Sequence, residues 1–101
     1  MIEDDLFFYI LGKMKRFGHP DAPLQIIKKK HTFIIGHKEK NYFDGRETLE
    51  EAFKIVHIKG RDIWKLFWKK DNVKWHLYGE YGDLSRLLEE VEHDPNGCFW
   101  G

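Results

Sequence analysis

Apolar residues recur along this chain with two periods, and the places where the period changes divide it into elements. From residue 3 to 17, Leu6, Tyr9, Ile10, Met14 and Phe17 repeat at near-helical spacing, with Phe7 and Leu11 widening the stripe. Glu3, Asp4 and Asp5 stand at the positive end of this helix, and Lys13, Lys15 and Arg16 at its negative end. Gly18 fits a left-handed terminating position and Pro20 follows two residues later, so the helix is expected to stop there. Beyond Pro23 the pattern turns strand-like. Leu24–Lys29 and His31–His37 are short β-prone runs, and Lys40–Phe43 either extends the second or forms an edge strand. Asp44-Gly45 signals a turn. Thr48–Ala52 is ambiguous, since Thr48-Leu49-Glu50-Glu51 could also cap a helical turn. Phe53–Lys59 alternates as a strand.

The firmest local reading is a hairpin over residues 63–79. With Asp71-Asn72 as a two-residue loop, Lys70 faces Val73, Trp68 faces Trp75, Leu66 faces Leu77 and Trp64 faces Gly79. One face is then wholly apolar, carrying Trp64, Leu66, Trp68, Val73, Trp75 and Leu77; the other carries Lys65, Phe67, Lys69, Lys74, His76 and Tyr78. Asp83 is a candidate N-cap for a second helix, with Leu84, Leu87, Leu88 and Val91 on one stripe. Asp94-Pro95 ends that helix, and Cys98-Phe99-Trp100 is apolar enough to pack back onto the domain.

These elements predict a single α+β domain spanning residues 1–101: an N-terminal helix, an antiparallel four- to five-stranded meander and a C-terminal helix, with both helices on one face of the sheet. The predicted core includes Leu6, Ile10, Trp64, Leu66, Trp68, Trp75, Leu77, Leu84, Leu88 and Val91. A chain of 101 residues with 42% apolar and 34% charged residues can build one such core without metal or disulfide support. Its one cysteine excludes an intrachain disulfide. The acidic N-terminus lacks the pattern of a signal peptide, and no apolar run approaches a membrane span, so a cytoplasmic protein without membrane contact is expected. The net charge of zero is unevenly spread, at +6 over residues 13–40 and −5 over residues 80–101. Such segments either lie against each other or leave a basic patch for an acidic partner.

Trp64-Lys65-Leu66-Phe67-Trp68, Asp71 with Lys74-Trp75-His76, Tyr78 and the ending Asp94-Pro95-Asn96-Gly97-Cys98-Phe99-Trp100-Gly101 together resemble the bacterial domain-of-unknown-function 3024 family, whose short members end in a similar signature. The resemblance runs from about Ala52 to Gly101. It implies a bacterial, cytoplasmic protein and brings no activity, cofactor or catalytic residue.

Three candidate sites follow from the residues themselves. Lys65, Lys69 and Lys74 alternate with Phe67, His76 and Tyr78, the composition of a face that stacks bases while lysines neutralise phosphates; Lys28, Lys29, Lys30, Lys38 and Lys40 could extend it. The plainer reading is a solvated or partner-covered sheet face. Cys98 could act as a nucleophile if the tail brings His76 or His93 to it, although a lone cysteine in an apolar tetrapeptide is more often a small buried hydrophobe. Asp94, Cys98 and Trp100 could also line a pocket under the tail. The six histidines lack zinc-ligand spacing, and no phosphate-binding loop or hydrolase motif is present, so no catalytic residue, metal or cofactor is assigned. The leading expectation is a non-enzymatic binding module using the sheet face, with a second copy or another protein as partner. Nucleic acid binding and a cysteine- or metal-dependent enzyme are the alternatives.

Overall fold

A computed structural model of the chain describes residues 2–18, 22–41, 43–70 and 74–100. The order is α1 (Ile2–Met14), a 3-10 turn (Lys15–Phe17), β1 (Leu24–Lys29), β2 (Thr32–Lys40), β3 (Glu47–Ile58), β4 (Ile63–Lys70), β5 (Lys74–Tyr81) and α2 (Leu84–His93). The five strands form one antiparallel sheet in sequence order. The α+β meander with flanking helices is therefore as predicted. Two boundaries differ. The 47–58 stretch is one continuous strand, with no helical turn at Thr48. Gly18 is extended at φ −83° rather than left-handed, and α1 gives way through the 3-10 turn, with the Gly18 N–H donating to the Lys15 carbonyl at 3.1 Å. Pro20, expected to reinforce that stop, lies outside the described residues.

One face of the sheet and both helices share a single core. Phe33, Ile35, Phe53, Ile55 and Leu66 from the strands meet Ile10 and Met14 of α1 and Leu84, Leu87, Leu88 and Val91 of α2. The Asp83 side chain accepts from the Ser85 N–H at 3.0 Å, the N-cap read from the sequence. Arg16 reaches across to Glu92 at 3.0 Å, one place where the basic and acidic segments do lie together. At its exposure this pair contributes at most about 1 kcal/mol.

Two irregularities set which side chains face which way. Between β2 and β3 the register shifts at Ile35/Gly36, so Ile35 pairs with Phe53 and Gly36 with Glu51, leaving Ala52 as the extra residue. Only glycine fits at position 36: a Cβ there would lie 2.3 Å from the Glu50 carbonyl oxygen. The second shift falls between β4 and β5. Lys70 pairs with Lys74, Lys69 with Trp75, Trp68 with His76 and Phe67 with Leu77; then Leu66 pairs with Gly79, leaving Tyr78 extra.

The predicted hairpin register is thus wrong by one residue between the loop and the bulge, and by two from Leu66 to Trp64. Pairing Lys70 with Lys74 leaves three residues between the strands where two were assumed, and residues 71–73 themselves lie outside the described residues. A one-residue slip exchanges the two faces of a strand. Trp75 and Leu77 consequently leave the core face, and Leu77 is 51% exposed. His76 and Tyr78 move to the side that α2 covers. Trp64 and Leu66 remain in the core as predicted, with Trp68 and Leu6 packed at its border.

Candidate interaction surface

Three rows of cross-strand neighbours cross the face that the helices leave open. The central row runs Ile27, Ile34, Lys54, Phe67, Leu77 from β1 to β5. Beside it lies the row Lys29, Thr32, Val56, Lys65, Glu80. On the other side Gln25 neighbours Gly36, Gly36 neighbours Glu51, and Lys69 neighbours Trp75; an ion pair between Glu51 and Lys69 bridges the bulge.

The central row is apolar on either side of Lys54, and the charges beside it are partly neutralised. The Lys54 ammonium lies 4.7 Å from the Phe67 ring centroid and 5.0 Å from that of Trp75, and Lys69 lies 5.1 Å from Trp75. Such contacts contribute about 0.5–1 kcal/mol each at accessible sites. Burial pushes the Lys54 ammonium below the usual lysine range; Glu51 opposes the shift and Lys69 adds to it. Lys65 faces Glu80 at 3.9 Å. Of the residues singled out from the sequence, Lys65, Phe67 and Lys69 stand together on this face. Lys74 and His76 belong to the other side of β5, and Tyr78 occupies the bulge. The Tyr78 hydroxyl donates to the Glu90 carboxylate at 2.8 Å and accepts from Asn96 at 2.9 Å, while its ring packs on Phe99. Burial, and then the bond to Glu90, raise its pKa.

The residues the sequence reading missed are Trp75 and Leu77, assigned to the core, and Lys54, Ile27 and Ile34. The alternation of Phe53–Lys59 already separated Lys54 and Val56 from Phe53 and Ile55, so that part was available. The partners of Lys54 depended on the hairpin register.

The terminal segment is organised by one side chain. Asp94 has left-handed backbone (φ 42°), which turns the chain out of α2. Its Oδ1 accepts from the N–H groups of Cys98 at 2.8 Å and Phe99 at 3.2 Å, and its Oδ2 accepts from Trp100 N–H at 2.9 Å. Gly97 supplies a second left-handed residue, φ 65°, which lets the loop close around the carboxylate. The closure delivers Phe99 into the core against Phe53. It also stacks Trp100 on Phe17 at 4.4 Å and lets the indole N–H donate to the Val91 carbonyl at 3.0 Å.

A small hollow of about 190 Å³ under this tail is lined by His37, Glu50, Glu51, Lys69, Cys98 and Trp100, among others. Of the expected tail-pocket residues, Cys98 and Trp100 line it, whereas Asp94 serves as the acceptor that shapes the loop. The histidine beside Cys98 is His37, whose Nε2 lies 2.8 Å from the Phe17 carbonyl oxygen. Neither His76 nor His93 takes that place; His93 Nδ1 lies 2.8 Å from the Glu89 carbonyl oxygen. Burial and then the Asp94 charge raise the Cys98 pKa, which disfavours the thiolate. Among the described residues no group of three or more His, Cys, Asp or Glu side chains is placed to hold a metal ion. Among them, too, no helix is long and apolar enough to cross a membrane.

Trp64, Trp68, Tyr78, Asp94, Gly97, Phe99 and Trp100 therefore all lie in the core or in the loop that closes it. Comparison with protein-family models gives a match over residues 15–101 to a domain of unknown function, DUF3024. The chain belongs to the DUF3024 family. The DUF3024 match begins in the 3-10 turn and takes in all five strands, α2 and the tail, well beyond the stretch that carried the resemblance. No curated protein and no solved structure matches the chain.

Two outcomes follow from this geometry. Asp94→Ala removes the acceptor for three backbone N–H groups and should lower unfolding stability by about 2–4 kcal/mol, read by urea denaturation; a loss below about 0.5 kcal/mol would contradict the role given to the carboxylate. Cys98 in the folded protein should react with iodoacetamide at neutral pH more slowly than in the urea-unfolded chain, approaching the unfolded rate only as pH rises beyond the ordinary thiol range. Faster labelling in the folded state would restore a thiolate reading.

Proposed function

We propose that the protein is a non-enzymatic binding module whose docking surface is the open face of the sheet. The observation that carries this reading is the central row Ile27, Ile34, Phe67 and Leu77, interrupted only by Lys54, which spans all five strands opposite the helices. Single exposed apolar residues are ordinary on proteins, but a row of half-buried and exposed apolar side chains aligned across a whole sheet fits a contact surface. Val56, Trp75 and the Ile58–Ile63 pair extend it on the same face.

Electrostatics favour a protein over a nucleic acid as the ligand. Lys69 and Lys65 are matched by Glu51 and Glu80 on the same face, so two of its lysines have carboxylate neighbours. Lys74 and His76, which would have completed a basic, aromatic face, stand on the other side. A thiol-based reaction is disfavoured by the raised Cys98 pKa. With one cysteine and no intrachain disulfide to keep oxidised, a cytoplasmic site of action suits the chain.

The test is photo-cross-linking in the native host, with benzoylphenylalanine placed at Leu77 or, as a control, at Glu89 on the exposed side of α2. Adducts should form from position 77 and not from position 89. No adduct from 77, or the same adducts from both positions, would overturn the assignment of the face.

A further inference from the structure

The open face is complementary to itself about one axis. Two sheets packed face to face align their strands to within about 30°. In a two-fold dimer the axis then lies in the interface, either along the strands or across them. An axis along the strands, over β3, lays β1 of one copy on β5 of the other and keeps each row on its own level. Ile27 then meets Leu77 of the second copy, Ile34 meets Phe67, and Lys29 meets Glu80, each contact occurring twice. An axis across the strands instead exchanges the two outer rows, bringing Lys65 against Lys69 and leaving Glu80 over Trp75. The first axis also brings Glu51 near Glu51 of the second copy, but each is held by its own Lys69, so the two opposite-charge Lys29–Glu80 pairs select the first arrangement.

Two further features fit it. Lys54 lies on the axial strand, where two ammonium groups would otherwise meet. Its side chain leans over Phe67 of β4 and Trp75 of β5, so in two related copies the ammonium groups swing to opposite sides of the axis. Trp75 stands on the level of Gln25 and Gly36. A hollow of about 270 Å³ lined by Gln25, Ile27, Lys38 and Leu49, among others, opens at that level. A large aromatic facing such a hollow is the usual anchor of an interface.

We infer that two copies of this chain associate through their open sheet faces about a two-fold axis parallel to the strands, pairing Lys29 of each with Glu80 of the other. The inference rests on the proposed docking role of that face and names its occupant. Sheet twist offsets facing rows by about 5 Å at the edge strands, within the reach of a lysine and a glutamate. Five strands, each with three facing residues in a stretch of five, give a footprint of about 24 by 17 Å, or about 800 Å² for the pair. That is the weak end of specific interfaces, so monomer and dimer should exchange with concentration.

Sedimentation velocity from about 5 to about 500 µM tests this, a range chosen for a weak interface. The unmodified protein should shift from monomer to dimer. Lys29→Glu alone and Glu80→Lys alone each set like charges against each other twice and should weaken association at least about tenfold. An equimolar mixture of the two variants restores both opposite-charge pairs, and its dimerisation should return to within about threefold of the unmodified protein. Both positions are exposed, and circular dichroism confirms folding. A monomer throughout, or a mixture no stronger than its components, would overturn the dimer. The cross-linker at Leu77 separates the two readings. Adducts of twice the chain mass support the dimer. Adducts with other molecules only would overturn it while leaving the face a docking surface, and no adducts would overturn both.

Discussion

Closure of the core depends on a carboxylate that collects backbone donors. Asp94 sits where α2 ends and accepts from three successive N–H groups, those of Cys98, Phe99 and Trp100. Charge-assisted bonds of this kind are about twice as strong as neutral ones, and here they act together on one short loop. Without them the apolar contacts of Phe99 and Trp100 would have to hold the turn alone. With them, Phe99 fills the gap between Phe53 and Tyr78, and Trp100 ties the α1 end at Phe17 to the α2 backbone at Val91. One side chain thus connects both helices and the sheet through what it does to the main chain.

The same tail accounts for the second bulge in the sheet. Tyr78, the extra residue on β5, turns its ring toward Phe99 and its hydroxyl toward Glu90 and Asn96. A regular hairpin would have to choose between Tyr78 and Gly79 opposite Leu66. The bulge keeps Tyr78 under α2 and still lets Gly79, Glu80 and Tyr81 continue the ladder. Trp75 and Leu77, before the bulge, are left on the open face. The chemistry of the docking surface is thereby linked to the residues that close the core on the other side.

Much of the fold was legible from pattern. The α2 stripe, its Asp83 cap and the order of the strands follow from spacing, but the core contributions of Ile26, Phe33, Ile35, Phe53 and Ile55 were not read from it. Nor was the β4–β5 register. Either loop length puts apolar residues of β5 against apolar residues of β4, because β5 alternates Trp75 and Leu77 with His76 and Tyr78, and all four have substantial apolar surface. What decides is the hydroxyl of Tyr78, which has partners only on the α2 side. That contact joins residues 12 and 18 positions apart, beyond any local pattern. The candidate surface was accordingly half legible: Lys65, Phe67 and Lys69 were on it, His76 and Tyr78 were not, and Asp94 was read as a pocket residue when its role is to hold the loop.

On this account the terminal segment closes the fold. Native-state hydrogen exchange at the Cys98, Phe99 and Trp100 amides tests that most directly. If the Asp94 carboxylate locks the tail into the core, these three amides should exchange only in the global unfolding that also releases the β3 amides. Exchange of the three while β3 stays protected would mean that the tail opens on its own, and the core would not depend on it.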